Sequence, residues 1–98
     1  MFEWDEDKNA SNKKKHGIGF EEAIEVFNDP NCLELFDRIH SSELEDRYIC
    51  IGDIGGLLIV FVVYEDRRGV VRVISARRAE PKEEMAYYEH LERTFERD

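Results

Sequence analysis

The sequence has little of what defines several protein classes. It contains two cysteines, two prolines and six glycines, and it has no basic excess, since 14 lysines and arginines stand against 23 acidic residues. The longest apolar run, Leu57 to Tyr64, is far shorter than the roughly 20 residues of a membrane helix. We therefore expect no membrane segment, and 98 residues without a Pro- or Gly-rich linker predict a single domain, residues 1–98, with one small core.

Export and metal binding also find no support in the sequence. The chain begins Met-Phe-Glu-Trp-Asp and lacks the basic and apolar regions of a signal peptide, so we expect a cytoplasmic protein. Cys32 and Cys50 lie in separate apolar segments without the C-x-x-C spacing of a zinc or redox site. We expect both cysteines to be small buried hydrophobic residues, and we expect no metal or cofactor.

The formal net charge of −9 is unevenly distributed along the chain. Residues 1–12 hold four acids and one base, residues 79–98 hold seven acids and three bases, and residues 13–78 hold twelve acids and ten bases. A protein that binds nucleic acid usually presents a net basic face. The nearly balanced middle segment can still form a local basic patch if folding gathers its bases on one face.

Three segments are predicted to be helices. They are residues 6–15, 20–28 and 81–97. The first is predicted to begin after the capping residue Asp5 and to end at Gly17, so that the lysines before Gly17 lie at the negative end of the helix dipole. The last has an apolar face predicted from Met85, Tyr88, Leu91 and Phe95.

Five segments have the composition of strands, and together with the helices they predict an α+β fold. The strands are residues 2–4, 32–36, 47–54, 57–64 and 70–76. Short turns at 55–56 and 66–69 make the last three strands antiparallel neighbours, and the segment 57–64, apolar on both faces, is predicted to be central. We expect a twisted antiparallel sheet with two N-terminal helices and one C-terminal helix, packed mainly against one face.

Arg72 is an unusual residue for its strand. It lies in a run of valine and isoleucine, and β propensity does not explain an arginine there. Its guanidinium needs either a carboxylate partner, for which Glu45 and Glu65 are candidates, or an anionic ligand. Strict alternation along the strand predicts that Arg72 and Arg77 lie on opposite faces of the sheet.

The sequence contains no motif of a metal, nucleotide or serine-nucleophile site. His16, at a predicted helix end, is more typical of a capping or packed residue than of a catalyst, and we expect His40 and His90 to be solvated. What remains is a set of basic residues and a tyrosine, which resembles the equipment of a metal-independent ribonuclease, where the RNA supplies its own 2′-hydroxyl nucleophile. The set comprises Lys15, His16, Arg47, Arg72, Arg77, Arg78 and Tyr88.

Five sequence blocks resemble the BrnT family of bacterial toxins, the partners of BrnA antitoxins. They are FEWD at Phe2–Asp5, NKKKHGIGFEEA at Asn12–Ala23, EDR at Glu45–Arg47, RVISARRA at Arg72–Ala79, and Tyr88-Glu89. The match covers about nine-tenths of the chain, and the KHG and ISAR blocks together are specific. The resemblance implies a RelE-like fold, a ribonuclease that stops translation, and neutralisation by a BrnA partner that also binds DNA to repress the operon.

The resemblance also implies which residues form the site. The catalytic candidates carried over by motif are Lys15, His16, Glu45, Arg47, Arg72, Arg77 and Tyr88. Lys13, Lys14 and Arg78 are further candidates for RNA binding, and plain helix-end charge is the alternative for the two lysines. The expected partners are RNA, a BrnA-like antitoxin, and operator DNA only through the antitoxin, in a homodimer or a toxin–antitoxin heterotetramer. Which residue acts as base and which as acid stays open.

The acidic balance leaves two other hypotheses open. One is a catalytically weak or inactive BrnT-like binding module that acts mainly in an antitoxin and operator complex, where its basic residues pair with acids of the partner. The other is an α+β domain with no enzymatic role, which a structure with every site arginine held in an internal ion pair would favour.

Overall fold

A five-stranded mixed sheet forms the centre of the structure, a computed structural model that describes residues 1–42 and 45–96. The strands are β1 (Phe2–Glu3), β2 (Leu33–Phe36), β3 (Arg47–Ile54), β4 (Leu58–Arg67) and β5 (Val70–Arg78). Their spatial order is β1-β5-β4-β3-β2, which places the strand that is apolar on both faces at the centre, as predicted. The helices are α1 (Glu6–His16), α2 (Phe20–Ala23), a 3₁₀ helix (Ile24–Asn28) and α3 (Pro81–Glu96).

The predicted α+β class and the order of the elements are confirmed. One detail differs, because β1 pairs in parallel with β5 while the other three strand pairs are antiparallel. A parallel pair needs a long connection, and most of the chain lies between β1 and β5. The second predicted helix is one α-helical turn followed by the 3₁₀ helix, yet its apolar stripe is buried as expected.

The N-terminal helices cover one face of the sheet. The side chains there that are at most 1% exposed are Phe20, Ala23, Val26, Cys50, Val60, Val62, Val73 and Ala76. Full burial of one large apolar side chain stabilises a fold by about 1.5–3 kcal/mol. This face therefore carries most of the hydrophobic stabilisation.

The predicted caps of α1 are confirmed, and a buried asparagine fixes the helix to β5. The Asp5 side chain accepts hydrogen bonds from the first-turn N–H groups, and Gly17 adopts the left-handed conformation with φ of 76°. Asn12 Nδ2 donates to the Ala76 carbonyl at 2.7 Å, and Asn12 Oδ1 accepts from the Ala76 N–H at 3.1 Å. At Ala76 this edge of β5 has no neighbouring strand, and the Asn12 side chain makes the hydrogen bonds that such a strand would make. Because Asn12 fixes α1 to this edge, Lys15 lies beside it.

The C-terminal helix covers only one end of the opposite face. Tyr87, 3% exposed, and Leu91 pack there against Ile51 and Ile59. Two of the three predicted helices thus share a face, and α3 lies on the other. Among the described residues, no helix combines the length and the apolar character that crossing a membrane requires.

The predicted apolar face of α3 is wrong for the most part. Of its four residues only Leu91 packs against the sheet, whereas Met85, Tyr88 and Phe95 are 62%, 51% and 66% exposed. The buried residue is Tyr87, because its ring fills the space against the sheet and its hydroxyl donates to Asp29 Oδ2 at 2.5 Å. The unburied apolar residues therefore form an exposed surface.

Candidate functional site

A β-bulge in β5 brings the two strand arginines onto one face. The register pairs Val63 with Ser75 and Tyr64 with Val73, which leaves Ile74 without a partner. The prediction that Arg72 and Arg77 lie on opposite faces is therefore wrong, because one extra residue resets the alternation. The two arginines lie opposite positions 65 and 61 of β4, which are four residues apart and share a face.

The open end of this face forms a hollow of about 490 Å³, which we call the arginine hollow. Its lining residues are Asp37, Ile39, His40, Arg47, Ile49, Phe61, Val63, Ser75 and Arg77. The floor is formed by apolar side chains of β3 and β4, and the polar groups come from the loop after β2 and from the ends of β3 and β5. Such a surface can contact the flat ring of a nucleobase and an anionic group at the same time.

Arg77 is held firmly in the arginine hollow. Its Nη1 and Nη2 donate to the two carboxylate oxygens of Glu83 at 2.8 and 2.9 Å, Nη1 also donates to the Arg78 carbonyl, and its Cζ lies 4.2 Å from the Phe61 ring centroid. The hydrogen bonds to Glu83 raise the pKa of Arg77. Burial raises the pKa of Glu83, but the hydrogen bonds from Arg77 and from the Glu80 backbone outweigh burial, so the pKa of Glu83 lies below its ordinary value. A guanidinium has five N–H groups, so two remain for a ligand.

Arg47 is less committed to its internal partner. Its Nε lies 3.8 Å from Glu65 Oε1, beyond hydrogen-bonding distance, and Glu65 is 4% exposed. Arg67 holds the same carboxylate more closely, with Nε and Nη2 both at 3.1 Å. Two guanidinium groups therefore share one buried carboxylate, which leaves the N–H groups of Arg47 available at the hollow.

Arg72 and Glu45 lie near the arginine hollow without lining it. Arg72 Nη1 is 3.7 Å from Glu3 Oε1, because the parallel pairing sets Glu3 beside Arg72. Of the two alternatives for Arg72, the carboxylate partner is present, but it is Glu3 and not the candidates Glu45 or Glu65. Glu45 instead contacts Arg67 at 3.4 Å, with about half of each side chain exposed.

Lys15 and His16 lie on the other side of the β5 edge. They line a second hollow of about 390 Å³ between α1 and β5, which includes Ile74 and Ser75. Ser75 lines both hollows. The lysine–histidine step is therefore adjacent to the arginine hollow, and α1 positions it through the Asn12 contacts described above.

The remaining candidates lie outside both hollows. Lys13 and Lys14 are exposed in the last turn of α1. Arg78 is exposed at the end of β5 and pairs with Val60, whose side chain belongs to the face covered by α1 and α2. Tyr88 lies on the outer surface of α3, where its ring packs edge-on against Tyr87 at 5.6 Å.

Sequence reasoning missed the Asp37–His40 pair. His40 Nδ1 lies 2.9 Å from Asp37 Oδ2, and the His40 N–H donates to Asp37 Oδ1 at 3.2 Å. Burial raises the pKa of Asp37, but the hydrogen bonds from His40 outweigh it and hold the pKa below its ordinary value. With Nδ1 donating to the carboxylate, Nε2 is free to exchange a proton with a ligand. The Asp-x-x-His spacing before β3 was the signal in the sequence.

A group of potential metal ligands lies on the covered face. Among the described residues, Cys32, Glu34 and Cys50 each offer a ligand atom, and these atoms lie within 4.8 Å of one another. Cys50 is fully buried and Cys32 half-buried, and both are free thiols. Burial raises the pKa of both thiols, so they are protonated at neutral pH, in keeping with the predicted role as apolar core residues.

The fold and the arginine hollow define the class of the protein: a small α+β domain with arginines on its open sheet face. The family described as "Ribonuclease toxin, BrnT, of type II toxin-antitoxin system" matches residues 4–83. The crystal structure of the Brucella abortus ribonuclease toxin BrnT, at 1.1 Å resolution, is similar, with 30% sequence identity and a TM-score of 0.66. That match covers 82% of this chain and 97% of the Brucella chain.

The comparison with curated proteins gave no match. The family match extends over most of the chain, and the Brucella structure agrees with it in sequence and in fold. The chain belongs to the BrnT family of ribonuclease toxins of type II toxin–antitoxin systems. The family predicted from the FEWD, KHG and ISAR blocks is therefore confirmed.

Proposed function

We propose that this protein is a cytoplasmic endoribonuclease toxin that cleaves RNA without a metal ion, inhibits translation and is neutralised by a BrnA-like antitoxin. Membership of a ribonuclease toxin family supports RNA cleavage, and a type II system implies an antitoxin partner. The observation that carries the finer proposal is the arginine hollow, where two arginines and a carboxylate-oriented histidine lie over an apolar floor.

The proposed reaction is an attack by the ribose 2′-oxygen on the neighbouring phosphorus. The bond from phosphorus to the 5′-oxygen breaks, and the products are a 2′,3′-cyclic phosphate and a 5′-hydroxyl. His40 Nε2 makes one of the two proton transfers, from the 2′-hydroxyl or to the leaving 5′-oxygen, and solvent water accepts or supplies the other proton. Asp37 orients the ring and stabilises the imidazolium. Arg47 and the free N–H groups of Arg77 stabilise the extra negative charge that gathers on the phosphate oxygens.

The other candidates take supporting roles in this proposal. Lys15 and His16, across Ser75 from the arginine hollow, contact an adjoining phosphate of the RNA. Arg72, on the same sheet face, adds to the attraction of the strand. Long-range electrostatic attraction of the RNA is the only contribution of Lys13, Lys14 and Arg78. Glu45 does not contact the RNA and acts through its ion pair with Arg67. Tyr88 has no place in the reaction, since it lies outside both hollows.

The ion pairs of the three arginines also bear on a second candidate function. A catalytically weak or inactive binding module is favoured by the bidentate bond between Arg77 and Glu83, which neutralises one cation of the hollow. The contacts of Arg47 and Arg72 are 3.8 and 3.7 Å long, beyond hydrogen-bonding distance. The pair of Arg72 and Glu3 is also partly exposed, and such a pair contributes only about 0–1 kcal/mol. A phosphate can compete for those two arginines, which is why we favour the active toxin.

Expression in a bacterial host tests the proposed function. We expect the wild-type protein to arrest growth, and Arg47→Ala and Arg77→Ala to abolish the arrest, because loss of one donor to a developing oxyanion costs about 10²–10³ in rate. Arg68→Ala, which removes one charge from the exposed β4–β5 turn, is the control and should remain toxic. Wild-type expression without any effect on growth would instead support the inactive module.

A further inference from the structure

The outer surface of α3 carries an apolar stripe that nothing in the described part of the chain covers. We define the apolar stripe as Met85, Tyr88 and Phe95, which are 62%, 51% and 66% exposed. Their spacings of three and seven residues place them along one side of the helix. Contiguous exposed apolar surface on a small protein typically marks a contact with another macromolecule.

The apolar stripe lies in strongly acidic surroundings. Over Pro81–Glu96 the helix has five glutamates against one lysine and one arginine. Glu89, Glu92 and Glu96 are exposed. Glu89 is four residues from Met85, and Glu92 is four residues from Tyr88 and three from Phe95, while Glu96 follows Phe95 directly. Glu92 is seven residues from Met85 and lies in line with the stripe, so apolar and acidic positions alternate along this side of the helix. Such a surface fits a segment on which apolar and basic positions alternate.

The apolar stripe is separate from the proposed reaction site. None of its three residues lines the arginine hollow or the second hollow. The family match ends at residue 83, so the whole stripe lies beyond it. Tyr88 belongs to the Tyr88-Glu89 block that resembles the family, so Met85 and Phe95 are the stripe residues that lie outside every family block.

We propose that the apolar stripe is the docking site for a basic amphipathic helix of the antitoxin. The proposal rests on the proposed function, which supplies an antitoxin partner. The sixteen residues of α3 extend over about 24 Å, so a partner helix of about four turns can lie along it. Apolar side chains of that helix contact Met85 and Phe95, while lysines and arginines on either side face the glutamates. The acidic residues of α3 thus contact the antitoxin and not the RNA.

The probe for this proposal is a fluorescent helical peptide with leucines at a spacing of three and four residues and lysines on either side. We expect it to bind the wild-type protein, with weaker binding at higher salt. The double variant Met85→Ser/Phe95→Ser should weaken binding at least about tenfold, because exposed apolar anchors dominate such contacts. The control Leu57→Ser removes an apolar side chain that is 94% exposed on the β3–β4 turn, and it should bind like the wild type.

Two results would overturn the docking proposal. One is a loss of discrimination: the wild type binds the lysine peptide and a matched leucine–glutamate peptide equally, or the double variant binds the lysine peptide as tightly as the wild type does. The other is wild-type self-association in sedimentation experiments that the double variant loses, which would make the stripe a contact between copies of this chain. Ribonuclease activity of the double variant is measured separately. Peptide binding without any RNA cleavage would refute the proposed function and leave the docking surface standing.

Discussion

Asp37 and His40 illustrate how a single polar pair can determine the chemistry of a site. The loop before β3 places the imidazole at the rim of the arginine hollow, and a carboxylate only 11% exposed fixes its orientation. A sequence gives no distance between the loop and the strand arginines. The spacing Asp-x-x-His was visible, but its significance depends on the neighbouring Arg47 and Arg77, which come from other strands.

Replacement of the carboxylate tests its role as a positioning group. We expect Asp37→Asn to lower kcat for RNA cleavage by about ten- to a hundredfold with little change in KM, because an amide no longer stabilises the imidazolium. The acid limb of the pH–rate profile should also move, which a purely structural effect would not produce. Asp46→Asn, an exposed neighbour in the same segment, is the control; equal kinetics and pH profiles for both variants would refute the assignment.

At the scale of elements, regular features were predictable and one irregular feature was not. The Asp5 cap, the Gly17 end of α1 and the β3–β4–β5 meander followed from local patterns. The bulge at Ile74 did not, because the run Val-Val-Arg-Val-Ile-Ser-Ala reads equally well as an uninterrupted strand. That one extra residue is what places Arg72 and Arg77 on a common face.

The attachment of α1 to β5 depends on Asn12. Asn12→Leu removes the partners of the Ala76 N–H and carbonyl, and burying an unsatisfied polar group costs about 1–3 kcal/mol each. We expect the melting temperature to fall by at least about 4 °C, measured by circular dichroism. Asn31→Ala, on the half-buried loop before β2, should change it little. An unchanged Tm for Asn12→Leu would show that the Asn12 contacts to Ala76 do not stabilise the fold.

The distribution of charge distinguishes the two surfaces of the whole molecule. Glu3 and Glu83, from the acidic terminal segments, contact arginines of the open sheet face. Glu89, Glu92 and Glu96 lie on the outside of α3, away from both hollows. The net charge of −9 therefore does not describe the surface that RNA would meet. The phosphate contacts proposed for Arg47 and Arg77 predict that RNA binding weakens as salt is added.

The family was predictable from the sequence because it rests on local blocks, whereas the site depends on distant segments. Lys15 and His16 belong to the specific KHG block, yet only the fold shows that Ser75 separates them from the arginine hollow. Tyr88 belongs to a block as well, and the fold places it on the outside of α3 instead. Motifs identify residues, but the sheet register decides which of them share a surface.

RNA cleavage by the purified protein, free of any partner and in excess EDTA, tests the central claim most directly. We predict fragments that end in a 2′,3′-cyclic phosphate and a 5′-hydroxyl, since the 2′-oxygen is the nucleophile. Cleavage should be lost in Arg47→Ala and retained in Arg68→Ala. Cleavage that stops in EDTA, or that persists unchanged in Arg47→Ala, would contradict a metal-independent reaction in the arginine hollow.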